Sequence, residues 1–296
     1  MTTPPVSTPA STAATAATTI ASSEDEIRAI AQERNRKRLV IFLRIALAVV
    51  VLAAWEGAVR TGLMDPFFFS QPSAIWDQLV TWVTEGTSQG PLWSELLVTM
   101  EETVLGFAIG SILGIVFGIA LGRNRMAADV LSIYVKVANA IPRVVLGSIF
   151  IIMFGLGMGS KVALAVVMVF FVVFGNAFQG VREADKNLIA NAYILGASRH
   201  QVTFSVVFPS ALTWILASLH VSFGFALVGA VVGEFLGARH GIGLLIATAQ
   251  GTFNAAGVFA AMIVLAIVAL AAEYLLTALE DKLLVWRPAQ FVERGM

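Results

Sequence analysis

An all-α integral membrane protein with six transmembrane helices is the fold class this sequence predicts, and three observations predict it. Of its 296 residues 58% are hydrophobic and only 13% charged, with a mean hydropathy of +0.84, whereas soluble domains are roughly half apolar and a quarter charged. Six stretches reach the roughly 20 apolar residues that a helix needs to cross hydrocarbon: about 39–59, 96–121, 130–154, 162–178, 211–236 and 258–279. Basic residues concentrate in alternate connections between these stretches.

Taken in order, residues 1–23 are Thr, Ala, Ser and Pro apart from Met1, Val6 and Ile20, with no charged side chain and no helical apolar period, which predicts a disordered tail. A basic n-region followed by a short apolar core is missing there, so a cleaved signal peptide is not expected. Ser23 and Glu26 have capping-box spacing ahead of Ile27, Ile30 and the basic run Arg34, Arg36, Lys37, Arg38. That predicts a separate interfacial helix over 24–38 feeding the first span. The membrane domain then runs over 39–285, with a short tail at 286–296.

Six spans place both termini on one side. The N-terminal arm carries Arg28, Arg34, Arg36, Lys37 and Arg38, the second-to-third connection Arg123 and Arg125, the fourth-to-fifth Arg182, Lys186 and Arg199, and the C-terminal tail Lys282, Arg287 and Arg294. The opposite side has Arg60, Lys161 and Arg239. The positive-inside rule therefore predicts that both termini and the segment 182–209 are cytoplasmic. A formal net charge of zero argues against a nucleic-acid partner. The sequence has no cysteine, which excludes disulfides, thiolate nucleophiles and thiolate metal sites.

The second span carries Gly106, Gly110, Gly114, Gly118 and Gly122, a strict four-residue ladder. It strips one helical face of side chains, and in lipid such a face lets another helix approach closely. Packing within one subunit, a subunit interface and a moving pathway wall all fit it.

The fourth-to-fifth connection is longer than a solvated loop requires. From Asn187 to Phe208 the apolar positions Leu188, Ile189, Ala192, Leu195, Val202, Val206 and Val207 recur at helical spacing, with Asn191, Arg199, His200 and Gln201 interleaved. Gly196 should separate two short helices or leave a gap for a partner's side chain, and Pro209 should break the run before the fifth span.

This segment resembles the cytoplasmic loop of permease subunits of binding-protein-dependent ABC importers, which has the form Glu-Ala-Ala, three residues, Gly, nine residues, Ile, one residue, Leu-Pro. The Gly is Gly196, the Ile position Val206, the Leu position Phe208 and the Pro Pro209, while the opening triplet falls on Ala190, Asn191 and Ala192 and lacks its Glu. Leu195-Gly196-Ala197-Ser198-Arg199, Val207-Phe208-Pro209-Ser210-Ala211-Leu212, Val232-Gly233-Glu234-Phe235-Leu236-Gly237 and Gly241-Ile242-Gly243 are similar to the nitrate, sulfonate, taurine and bicarbonate branch. The similarity spans roughly residues 45 to 285.

The resemblance implies a type I ABC importer permease fold with a cytoplasmic coupling helix. Two permease copies, expected to be a homodimer in the bacterial inner membrane, would form the pathway. Two cytoplasmic ATPase subunits carrying ATP and Mg would grip the coupling loops through Ala190, Asn191, Ala192, Tyr193, Gly196, Ala197, Ser198, Arg199 and Pro209. A solute-binding protein would deliver a small solute, expected to be an anion such as a sulfonate, nitrate, taurine or an aromatic carboxylate, with a thiamine-precursor pyrimidine as the alternative. No cofactor is expected in this chain, and no enzymatic activity. Gly155-Leu156-Gly157-Met158-Gly159-Ser160-Lys161 fails phosphate-loop spacing and reads as a tight turn between spans three and four.

Ionisable groups inside spans are functional suspects: Arg44, Glu101, Glu102, Lys136, Arg143, Glu234 and Glu273, with the neutral Asn139, Asn176, Gln179 and His220. Arg44 and Lys136 lie near the cytoplasmic ends, where they can snorkel. Arg143, Asn176, His220 and Glu234 are the pathway candidates. Arg143 follows Pro142, whose break frees a backbone carbonyl, and Glu273 is its alternative structural partner. Glu234 equally suits a hydrogen-bond anchor, and His220 suits a packing residue. His200 and His240 fall on opposite sides of the membrane, so no metal cluster is expected. An intramembrane enzyme would need a facing nucleophile and base, which the spans lack. A channel or secondary carrier would show matching broken repeats, and no convincing repeat is present.

Overall fold

The structure, a computed structural model, describes residues 9–283, with side chains over 32–124, 126–185 and 187–278. The chain divides into two units, residues 1–66 and 67–296. The first is helix α1 (Pro9–Arg60), 52 residues long, whose Gln32–Arg60 portion is long and apolar enough to cross a membrane. The structure therefore differs from the expected tail and separate interfacial helix. Helix runs back through 9–23 because this stretch is rich in alanine and has no glycine or proline after Pro9, which itself suits a first helical position. Ser23 and Glu26 lie in the interior of α1 and start nothing. Residues 1–8 and the expected tail at 286–296 lie outside the described residues.

The second unit holds α2 (Pro66–Phe69), α3 (Pro72–Thr84), α4 (Leu92–Arg123), α5 (Arg125–Ala140), α6 (Arg143–Phe154), α7 (Met158–Arg182), α8 (Lys186–Ile194), α9 (Arg199–Val202), α10 (Phe208–Leu236), α11 (Ile242–Gly251) and α12 (Ala255–Leu283). Helices α4, α7, α10 and α12 are each long and apolar enough to span. The stretch expected as the third span is not one continuous helix. Helices α5 and α6 meet at an angle of 86° around Ile141-Pro142, where proline supplies no N–H to continue the helix.

The bundle is organised around α7. The glycine ladder of α4 lies along it, in parallel and rung by rung. A Cβ on Gly110 would sit 2.8 Å from that of Val169, one on Gly114 2.8 Å from that of Val173, one on Gly118 2.7 Å from that of Ala177, and one on Gly122 2.8 Å from that of Val181. Gly106 meets Ala165 in the same way. Of the readings open for the ladder, packing within the chain is the one the structure displays. On an adjoining face of α7 the antiparallel α10 approaches equally closely, with Gly229 against Ala165, Gly233 against Lys161 and Gly180 receiving Ala211. A second contact ties the bundle's periphery together: Asn254 Nδ2, ahead of α12, donates to Gln78 Oε1 of α3 at 3.1 Å.

Pro209 does not end a helix. Residues Thr203–Val207 form a π-helical turn that joins α9 to α10, so Arg199–Leu236 runs through as one 38-residue span. The wider turn takes up the hydrogen bond that Pro209 cannot make, with Phe208 N–H donating to Thr203 O. Ser210 Oγ donates to the Val206 carbonyl at 2.7 Å.

Substitution of Gly114 by Leu should push α4 off α7. Overpacking of this kind costs about 1–3 kcal/mol, so the purified protein should melt earlier in a detergent thermal scan. Gly224, whose added Cβ meets nothing within 4 Å, should tolerate Ala with an unchanged or higher melting temperature.

Candidate functional site

The connection between α7 and α10 is built to hold one shape. Asp185 caps α8, its Oδ1 accepting from Asn187 N–H at 2.8 Å. At the other end Gly196 N–H donates to Tyr193 O and Ala197 N–H to Ala192 O, both at 3.0 Å. This paired closure needs a left-handed residue, and Gly196 supplies it with φ +84°. Helix α9 follows at once with a capping box: Ser198 N–H donates to Gln201 Oε1 at 2.8 Å, and Gln201 N–H to Ser198 Oγ at 3.3 Å.

The loop has two faces. Ile189, Ala192 and Ala197 pack inward on the buried Ala177, Val181, Val202, Val207, Ala211 and Ile215. Outward, Leu188 and Tyr193 are about half exposed and Ile194 and Leu195 are 82% and 86% exposed. A cavity of about 320 Å³ opens beside Gly196, lined by Ala192, Leu195, Ala197 and Gln201 among others. A larger one, about 1100 Å³, separates Tyr193 and Arg199 from Arg123 and Asn124 at the end of α4.

The structure thus brings together Ala190, Asn191, Ala192, Tyr193, Gly196, Ala197, Ser198 and Arg199 in one α8–α9 unit. Pro209 stands apart, beyond the π-helical turn. Gly196 separates two short helices, and a Cβ added there meets nothing within 4 Å.

The four pathway candidates do not converge. Arg143 donates from Nη2 to Asn139 Oδ1, and its guanidinium lies 5.5 Å over the Phe171 ring. Glu273, the alternative partner for Arg143, instead stands 3.8 Å from His220 Nε2. His220 Nε2 also lies 3.2 Å from Thr277 Oγ1, tying α10 to α12 as a packing residue would. Asn176 Nδ2 donates back to the Val172 carbonyl of its own helix at 2.9 Å. Glu234 is fully buried and lines no open wall, because its position on α10 faces α4 and the start of α11.

Glu234 belongs to a polar cluster that sequence reasoning missed. Its Oε1 accepts from Thr99 Oγ1 at 2.7 Å and its Oε2 from Gly243 N–H at 2.6 Å. Thr99 Oγ1 accepts in turn from Ile242 N–H at 2.9 Å, and Glu95 Oε2 from Gly241 N–H at 2.6 Å. Three successive N–H groups at the start of α11 are therefore satisfied by side chains of α4 and α10, and the carboxylates suit the positive end of that helix. Gly241 has φ +112° and the Glu234 carboxylate fills the space a Cβ would need. Nearby, Lys161 is 1% exposed, and its Nζ donates to Leu156 O at 2.6 Å and Gly157 O at 3.2 Å. The turn Gly155–Lys161 is closed by this ammonium and by Ser160 Oγ, which donates to Gly155 O at 2.8 Å. A signal existed: continuing the glycine stripe of α4 backward by helical steps lands on Glu102, Thr99 and Glu95. Among the described residues no His, Asp and Glu side chains group as metal ligands.

Residues 110–285 match the family described as binding-protein-dependent transport system inner membrane component. The chain belongs to this family. It is 30% identical over 259 residues to an aliphatic sulfonates transport permease protein of Bacillus subtilis, covering 88% of this chain and 92% of the relative. It is also 30% identical over 247 residues to the taurine transport system permease protein of Escherichia coli K12, covering 83% and 90%. The fold is shared with an inward-facing methionine ABC transporter, at a TM-score of 0.51 and 20% identity over 65% of this chain and 92% of that one. This importer permease is a multi-pass inner-membrane subunit of an ABC transporter. It works with a solute-binding protein and with a separate ATPase subunit, and is not itself an enzyme.

Thr99→Val should orphan both the Ile242 N–H and one oxygen of Glu234, costing about 1–3 kcal/mol for each buried unpaired group. Thermal unfolding of the purified permease should show the loss, and Thr99→Ser, which keeps the hydroxyl, should restore most of it.

Proposed function

We propose that this permease imports a small anion as a homodimer, with both termini and the α8–α9 loop cytoplasmic and two ATPase subunits, carrying ATP and Mg, docked on the two loops. The observation that carries the docking is the α8–α9 surface itself. It is closed at both ends by caps, seated on α7 and α10 from behind, and apolar and exposed in front. Leu188, Tyr193, Ile194 and Leu195 supply the contact area, while Gly196 leaves room for a side chain of the ATPase. The Glu missing at Ala190 removes one charge from this surface, so apolar contact and the helix caps take a larger share of the docking. Cytoplasmic placement of the loop is supported by the basic residues Arg182, Lys186 and Arg199 that flank or lie in it.

An anionic cargo is supported by two kinds of observation. The relatives named above are described as permeases for sulfonates and for taurine, and Arg143 stands at the break of the third span, where discontinuous helices of transporters commonly meet their substrates. Sulfonates, nitrate and aromatic carboxylates share the charge that such an arginine recognises.

Reconstitution with the ATPase and binding protein should show ATP hydrolysis stimulated by the binding protein loaded with an anion. A permease dimer that never retains the ATPase would overturn the docking. Gly196→Trp should leave the membrane fold intact yet reduce ATPase retention and stimulated hydrolysis by about tenfold or more, whereas Gly196→Asn, which tolerates a positive φ, should retain both. Because the sequence has no cysteine, Ser198→Cys and Arg239→Cys give clean single labels. A membrane-impermeant maleimide should reach Arg239→Cys from outside the cell and Ser198→Cys only from inside.

A further inference from the structure

The face between α5, the Pro142 break and α7 holds ionisable and amide groups that the bundle does not use. A cavity of about 240 Å³ lies there, floored by Phe171, Phe174 and Phe178 of α7 and rimmed by Ser132, Lys136 and Asn139 of α5. Lys136 has no anionic partner among the described residues. Asp129, the acidic residue of α5, is seven residues away, roughly 10 Å along the helix axis, and no carboxylate lines the cavity. Asn139 gives its Oδ1 to Arg143, which leaves its NH₂ group for another acceptor. Arg143 in turn is held over the Phe171 ring. Snorkelling to the interface accounts for a lone lysine, but not for an amide that lines the same cavity above an aromatic floor. The helix break adds a second argument: interrupted backbone at membrane depth persists where it is covered by protein or lines a watery cavity.

We infer that this cavity is a binding station for a small anion with an apolar or aromatic body, the charge meeting Lys136 and the Asn139 amide and the body lying on Phe171 and Phe174. The inference rests on the anion-importer reading and narrows it. The volume falls below the roughly 300–1,000 Å³ of drug-sized ligand pockets, which suits a single ring or a short chain. A bare inorganic anion leaves the aromatic floor unused. A zwitterion such as taurine brings an ammonium into a cavity lined by a lysine and no carboxylate. An anionic lipid headgroup offers the same charge, so the test has to separate headgroup from cargo.

The permease–ATPase complex in nanodiscs of phosphatidylcholine should be titrated calorimetrically with benzenesulfonate, butanesulfonate, taurine and nitrate. Benzenesulfonate should bind saturably, with taurine and nitrate weaker by about tenfold or more. Lys136→Gln should weaken benzenesulfonate by about tenfold or more, in line with loss of one charged hydrogen bond, and Lys136→Arg should restore it. Phe171→Leu should weaken benzenesulfonate more than butanesulfonate. Absence of saturable binding to the wild type, equal affinity in Lys136→Gln, or taurine binding as tightly as benzenesulfonate would each overturn the station. Displacement of benzenesulfonate by added phosphatidylglycerol, with transport unchanged in Lys136→Gln, would assign the site to a headgroup and overturn it as a cargo station. If the complex imports an anion and Lys136→Gln makes no difference, the station fails and the importer reading stands. If the complex imports only cations or neutral solutes, the importer reading for anions fails and the station with it.

Discussion

Helix α7 is held between two surfaces from which side chains have been removed, and the rest of the bundle depends on that double contact. Water does not drive helices together inside a bilayer, so association rests on van der Waals packing and interhelical hydrogen bonds. The rungs of α4 supply the first by placing backbone against Ala165, Val169, Val173, Ala177 and Val181. Gly229 and Gly233 of α10 supply it on the adjoining side. Three helices packed this closely shift together or not at all, because close-packed interfaces are bistable rather than continuously deformable.

Both ends of this trio carry something. At one end α7 and α10 lead directly into the α8–α9 loop, so a force applied to the loop acts on helices already locked to α4. At the other end Glu95 and Thr99 of α4 and Glu234 of α10 grip the first turn of α11, extending the same body to a fourth helix. The α5–α6 pair is different in kind. It is bent by 86°, among its described residues buries only Ala128 and Gly147 deeply, and lies along α7 as a looser partner. A rigid trio beside a broken span is an arrangement in which relative motion would open or close the space between them.

Much of this was legible in the sequence because periodicity reports on faces. The four-residue spacing from Gly106 to Gly122 announced a close helix contact, and the spacing around Gly196 announced a two-part helical loop. What stayed hidden depended on tertiary partners. Lys161 counts as a loop cation when loops are sorted by charge, and only the carbonyls of Leu156 and Gly157 reveal it as a buried turn-closing group. Pro209 reads as a terminator, since a π-helical turn that absorbs a proline has no sequence signature of its own. Helix α11 was missed because ten residues are too few to register as a span, and its anchoring carboxylates lie on α4 and α10. The helical start at Pro9 stayed hidden because low charge and low complexity argue for a tail in the same residues where alanine's propensity argues for helix.

The ionisable groups within the spans separate by how their charge is answered. Glu95 and Glu234 accept from backbone N–H groups, from Thr99 and from the start of α11, and Lys161 donates to two carbonyls, so their hydrogen-bonding capacity is absorbed by structure. A buried charge so satisfied is a fastener; exchanging a solute against it would first require breaking bonds that hold α11 in place. Lys136 lines an open cavity, and Arg143, outside its lining, is oriented by Asn139 and the Phe171 ring without having its charge cancelled. Burial alone would have ranked Glu234 first as the pathway residue. Its bonds to Thr99 and to the Gly243 N–H account for that burial as structure, with no solute needed to satisfy it.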